Sequence, residues 1–95
     1  MKILDTGKWG PDHWGIFKER LEKTYVWPTL YVFKFIVPQD KAGQVKALFP
    51  MHQTEEKASQ KGNYTSLTYR MMMPGSDSII EVYQRVKNIE GLITL

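Results

Sequence analysis

The eight residues from Leu30 to Val37 constrain this chain most: apart from Lys34 they are apolar, and they are rich in aromatic and β-branched side chains. Such a run, closed by Pro38, reads as a β-strand. Alternation along a strand places Tyr31, Phe33, Phe35 and Val37 on one face and Leu30, Val32, Lys34 and Ile36 on the other. The lysine marks the second face as the one nearer water. A stretch this short cannot span a bilayer, so no membrane-crossing helix is expected.

The other elements fall into place around this strand. Trp14, Phe17 and Leu21 recur at helical spacing after Asp12, a good N-cap residue, and predict a helix from Asp12 to Thr24. Asp40 to Phe49 predicts a short helix with Ala42, Val45, Leu48 and Phe49 inward, stopped by Pro50. Thr54 to Gln60 is polar and reads as a strand mainly because Lys61-Gly62-Asn63 is a turn signal and Tyr64 to Met73 then alternates. In that second long strand Leu67, Tyr69 and Met71 point inward while Ser66, Thr68 and Arg70 point outward. The Met71-Met72-Met73 run is divided the same way, with Met72 on the outer face, so it reads as core filling and not as a soft-metal site.

Ile79, Val82, Tyr83 and Val86 form the clearest amphipathic helix, with Ser78 and Glu81 at capping-box spacing. Leu92 to Leu95 closes the chain as a strand. From residue 30 onward the order is therefore β-α-β-β-α-β. This is the split βαβ pattern of a ferredoxin-like α+β sandwich, a four-stranded antiparallel sheet with two helices on one face. Residues 1–27 are expected to form an N-terminal leader and helical extension to a domain at 28–95. That helix, or a second copy of the chain, is expected to cover the partly apolar outer sheet face.

Composition excludes several functions. The chain has 95 residues, enough for one domain, and its 42% hydrophobic and 24% charged content is that of a globular protein. It has no cysteine, which removes thiol nucleophiles, thiolate zinc and cysteine-held iron–sulfur clusters. A net charge of +3 is too mild to argue for nucleic acid by itself. The N-terminal residues lack the apolar core of a secretion signal, and the cytoplasm is the expected compartment. His13 and His52 have no second ligand at metal spacing, and Glu55 and Glu56, adjacent in a strand, point to opposite faces. No nucleophile elbow or phosphate loop is present, so neither an enzyme nor a cofactor is expected.

The residues Trp27-Pro28-Thr29, Phe33-Lys34-Phe35, the hairpin Ser59-Gln60-Lys61-Gly62-Asn63-Tyr64-Thr65-Ser66 and the ending Ile89-Glu90-Gly91-Leu92-Ile93-Thr94-Leu95 resemble the YbeD-like family of small bacterial proteins. The resemblance covers residues 27–95. It implies a ferredoxin-like fold comparable to ACT-type regulatory domains, and it brings no catalytic residue, because the family has no established activity. The stretch Asp40-Lys41-Ala42-Gly43-Gln44 also resembles the loop between first strand and first helix of ACT domains, where a small effector such as an amino acid is received. That resemblance implies a ligand site at these five residues, with Lys41 and Ala42 standing where ACT domains carry Arg and Pro. The plainer reading of the same stretch is a helix capped by Asp40.

The sequence offers two further classes of partner. The hairpin resembles an RNA-recognition signature, but Asn63, Thr65 and Thr68 stand where stacking aromatics are needed, and Tyr31 points inside. RNA would then be left with Lys34, Tyr64 and Arg70 on the open sheet face, and the sequence argues against nucleic acid as the partner. The alternatives to a small ligand are a homodimer through the sheet faces or edges and a protein partner that binds Trp14, Phe17 and Leu21 of the undocked first helix.

Overall fold

The computed structural model describes residues 11–59 and 61–95. Its elements run α1 (Pro11–Thr24), β1 (Thr29–Pro38), a 3-10 turn (Gln39–Lys41), α2 (Ala42–Leu48), β2 (Glu55–Ala58), β3 (Tyr64–Met73), α3 (Ser76–Val86) and β4 (Ile93–Thr94). The four strands form one antiparallel sheet in the order β2-β3-β1-β4. From β1 onward this is the expected βαββαβ, ferredoxin-like α+β arrangement.

The register of the two long strands fixes both faces. Tyr31 lies opposite Met71, Phe33 opposite Tyr69 and Phe35 opposite Leu67, and all six are buried. Their neighbours Leu30, Val32, Arg70 and Met72 lie on the other face and are exposed. Both parities agree with the alternation read from the sequence, including the division of the three methionines.

Beneath the helices the core is an aromatic network. The Phe33 ring lies 4.7 Å from Tyr31 and 5.3 Å from Tyr83, and Phe49 of the α2 end lies 5.2 Å from Tyr69. The Tyr31 and Tyr83 hydroxyls share a hydrogen bond of 3.1 Å, which satisfies polar atoms that burial would otherwise penalise. Burial holds both phenols above the usual tyrosine range. The outer ends of the strands are pinned by Gly91, whose φ of +77° a side chain rarely adopts and whose Cβ would sit 2.7 Å from Pro38 Cγ.

Four sequence expectations need correction. The first helix begins at Pro11, one residue before the expected Asp12 cap, which suits proline's preset φ and missing N–H. Its position also differs from the one expected. Instead of covering the open sheet face, α1 packs on α3 in the helical layer, with Phe17 5.5 Å from Tyr83, Leu21 in the core and Lys18 2.8 Å from Asp77. That carboxylate, by hydrogen bond and charge, holds the Lys18 ammonium above its ordinary range.

The helix after β1 starts at Ala42 without any side-chain cap, because a 3-10 turn takes up Gln39 to Lys41, so Asp40 does not cap it. The capping box of Ser78 and Glu81 does not form either: α3 begins at Ser76 after Gly75, and the Ser76 hydroxyl donates to the Glu22 carboxylate of α1. Glu81 instead accepts from Arg85 one turn on. The expected loose leader lies outside the described residues as far as Gly10.

Candidate functional site

The open sheet face holds the larger group of candidate residues. Successive rows across β1 and β3 pair Leu30 with Met72, Val32 with Arg70, Lys34 with Thr68, Ile36 with Ser66 and Pro38 with Tyr64. On the flanks, Glu55 and Lys57 of β2 share this face opposite Thr68 and Ser66, and Ile93 of β4 shares it opposite Ile36. Leu30 is 54% exposed, Val32 46% and Met72 63%, so three apolar side chains in adjacent rows meet solvent together. A contiguous apolar patch on a rigid sheet is a feature of interaction surfaces.

Charge on this face is mostly positive. Arg70 donates to the Glu55 carboxylate, a pair spanning β3 and β2 on the solvent side. Lys34, by contrast, makes no ion pair among the described residues and stands exposed in the middle row. Glu56, one residue from Glu55, turns to the helical side and accepts from Lys46 of α2, so the two glutamates are separated as alternation predicts. Where β2 begins, a shallow depression of about 380 Å³ opens between His52, Gln53 and Glu55 on one side and Thr68 and Arg70 on the other.

Of the residues assigned to the face from sequence, Lys34 and Arg70 do lie on it, one row apart across the strands. Tyr64 lies at its far end, half exposed, opposite Pro38. The aromatic side chains of the central rows, Tyr31, Phe33, Phe35 and Tyr69, all point into the core. Bases therefore meet no stacking platform in those rows.

The five-residue ligand candidate sits elsewhere, at the end of β1. Asp40 is exposed in the 3-10 turn, Lys41 is half-buried, Ala42 is buried, and Gly43 and Gln44 are exposed. A Cβ built on Gly43 meets no other atom within 4 Å. The glycine therefore faces open space, with no neighbouring element forming a wall beside it.

What sequence reasoning missed on the open face is the apolar cluster itself as a unit. Leu30, Val32 and Met72 were each placed on the outer side, yet register alone makes them neighbours, and register depends on the hairpin and on pairing between distant strands. No local signal gives it, because the Lys61-Gly62-Asn63 turn joins β2 to β3 and leaves the register of β1 against β3 open.

A family model described as Protein of unknown function (DUF493) matches residues 22–95. The chain belongs to that family. The DUF493 match begins inside α1 and contains the whole sheet, both faces and the Asp40–Gln44 turn, so most of α1 precedes the matched region. No curated protein and no solved structure matches the chain. No helix among the described residues is long and apolar enough to cross a membrane.

Proposed function

We propose that this DUF493 chain is a non-catalytic regulatory module that binds a protein partner through its open sheet face. The observation that carries the reading is the row-to-row adjacency of exposed Leu30, Val32 and Met72 beside Lys34 and Arg70. Covering that apolar surface is favourable at about 25 cal/mol per Å² removed from water, and the flanking cations give the contact an orientation. On the helical side α1 packs on α3, with Phe17 against Tyr83 and Lys18 paired with Asp77.

An amino-acid effector at Asp40, Lys41, Ala42, Gly43 and Gln44 has less support. Asp40, Gly43 and Gln44 are exposed, the buried Ala42 belongs to the core, and the α2 that follows has only seven residues. The two readings separate in one experiment, a photo-crosslinking residue placed in living cells at Met72, at Gln44 and at Gln84 on the helical layer. Protein adducts at Met72 that exceed those at Gln84 and disappear with Leu30→Ser are the expected result. Equal yields at the two positions overturn the face reading. Amide shifts confined to Asp40–Gln44 on titration with pooled amino acids would move the function to the turn.

A further inference from the structure

Strand β1 is paired unequally along its two edges. On one side β3 accompanies it for its full length, from Thr29 opposite Met73 to Pro38 opposite Tyr64. On the other, β4 pairs only with Phe35 and Ile36, and the Leu95 N–H donates to the Lys34 carbonyl at 2.9 Å. Between Thr29 and Phe33 no described residue pairs with this outer edge.

Residues of an antiparallel strand send their backbone groups alternately to either side. The Lys34 carbonyl faces β4, so the N–H and C=O of Val32 and Leu30 face the same open side. The one hydrogen bond found there is the Thr29 hydroxyl donating to the Leu30 carbonyl at 3.5 Å, the limit of such a contact. These are also the residues whose side chains form the exposed apolar patch.

The opposite edge of the sheet is protected differently. Strand β2 is four residues long and reads Glu-Glu-Lys-Ala, short and charged, as natural edge strands that avoid pairing usually are. The free half of β1 carries no charge before Lys34. An unblunted edge with unpaired donors and acceptors is a template for another strand.

Building on the reading of the open face as the working surface, we infer that the free half of β1 receives an extended segment of a partner protein, added as an antiparallel strand in line with β4. The segment is apolar where it lies beside Leu30 and acidic where it lies beside Val32, because a carboxylate there reaches diagonally to the Lys34 ammonium, which has no ion pair among the described residues. Arg70 does not compete for it, being held by Glu55. A second copy of this chain fits less well: self-pairing centred on Tyr31 spans only Thr29–Phe33, and beyond it drives each copy's Pro28 against Leu95 of the other.

The test uses the isotope-labelled full chain and a blocked synthetic hexapeptide that alternates valine and threonine, with one glutamate among the valine positions. Addition as a strand slows exchange of the Leu30 and Val32 amides by about tenfold or more at saturation, since each gains a backbone acceptor. N-methylation of one bonding amide in the peptide weakens binding by about tenfold, and lysine in place of the glutamate by several-fold, a preference that Lys34→Glu reverses. Millimolar peptide that leaves both amides unprotected overturns the inference. If the Leu30, Val32 and Met72 methyls shift in that case, the face binds by side chains alone and the reading of the preceding section survives. Protection that grows with protein concentration in the absence of peptide assigns the edge to a second copy and also overturns the partner segment.

Discussion

The two faces of the sheet are built from alternate residues of the same strands, yet they have opposite characters. Phe33 and Phe35 are wholly buried, while Val32 and Leu30 of the same strand are about half exposed. On β3 the same holds for Tyr69 and Met71 against Arg70 and Met72. The inner face carries no charged side chain on these two strands and is held by ring-to-ring contacts, whereas the outer face mixes apolar and cationic groups. Strand geometry assigns a residue to a face, but whether that face is structural or free depends on the layer laid over it. Here α1, α2 and α3 all lie on one side, and on the other Leu30, Val32 and Met72 stay exposed among the described residues.

The sharpest way to break this contrast is a pair of adjacent substitutions. Phe33→Ala is expected to cost about 3–5 kcal/mol in urea unfolding, because it removes a buried ring and leaves a cavity. Val32→Ala should cost less than about 0.5 kcal/mol, as surface changes usually do. A Val32 cost approaching that of Phe33 would mean that the outer face is covered in the isolated chain.

Two glycines repeat the contrast on a smaller scale. Gly91→Ala is expected to destabilise by about 1–3 kcal/mol, since it combines a positive φ with a clash against Pro38. Gly43→Ala, in a helix and facing open space, is expected to stabilise by up to about 1 kcal/mol. Thermal melts of both variants measure the difference, and a destabilising Gly43→Ala would show that the turn after β1 is more tightly packed than the fold implies.

The smallest expected effect lies in the tyrosines. Tyr31→Phe removes one buried hydrogen bond and should cost about 1 kcal/mol. Tyr31, Tyr69 and Tyr83 all have phenols raised above their ordinary value of 10.0, chiefly by burial. A raised acid holds its proton more firmly in the folded chain, so its stabilisation is complete below pH 10 and is lost as pH climbs from there towards the folded values. Alkaline titration should show phenolate absorbance from these three appearing together with loss of ellipticity. Their ionisation in a chain that keeps its fold would place them nearer solvent than the inner face allows.

Much of the fold was legible from residue order. The alternation of Leu30–Val37 and Tyr64–Met73 identified both faces correctly, and the spacing of Ile79, Val82, Tyr83 and Val86 gave the buried side of α3. The failures sit at helix starts. Asp40, and Ser78 with Glu81, had suitable residues at suitable spacing, but a 3-10 turn and the Ser76 contact to Glu22 took precedence. Caps depend on competing partners, and here the competitor for α3 comes from 54 residues away. The candidate site was legible only in part: Lys34 and Arg70 were assigned to the outer face, while the adjacency of Leu30, Val32 and Met72 beside them required the register of strands distant in sequence.

Sequence alone determined the order of elements and the direction of the side chains on the two long strands, because both follow from local backbone geometry and from apolar periodicities that need no partner to be read. It could not determine where α1 would lie. Either sheet face would have accepted Trp14, Phe17 and Leu21, and the choice rested on the fit of those side chains to α3 together with the Lys18–Asp77 and Glu22–Ser76 contacts. The free half of β1 was equally out of reach, since it arises from β4 meeting only the far end of its neighbour. An unpaired strand edge is a property of two segments and the gap between them, which only the assembled chain defines.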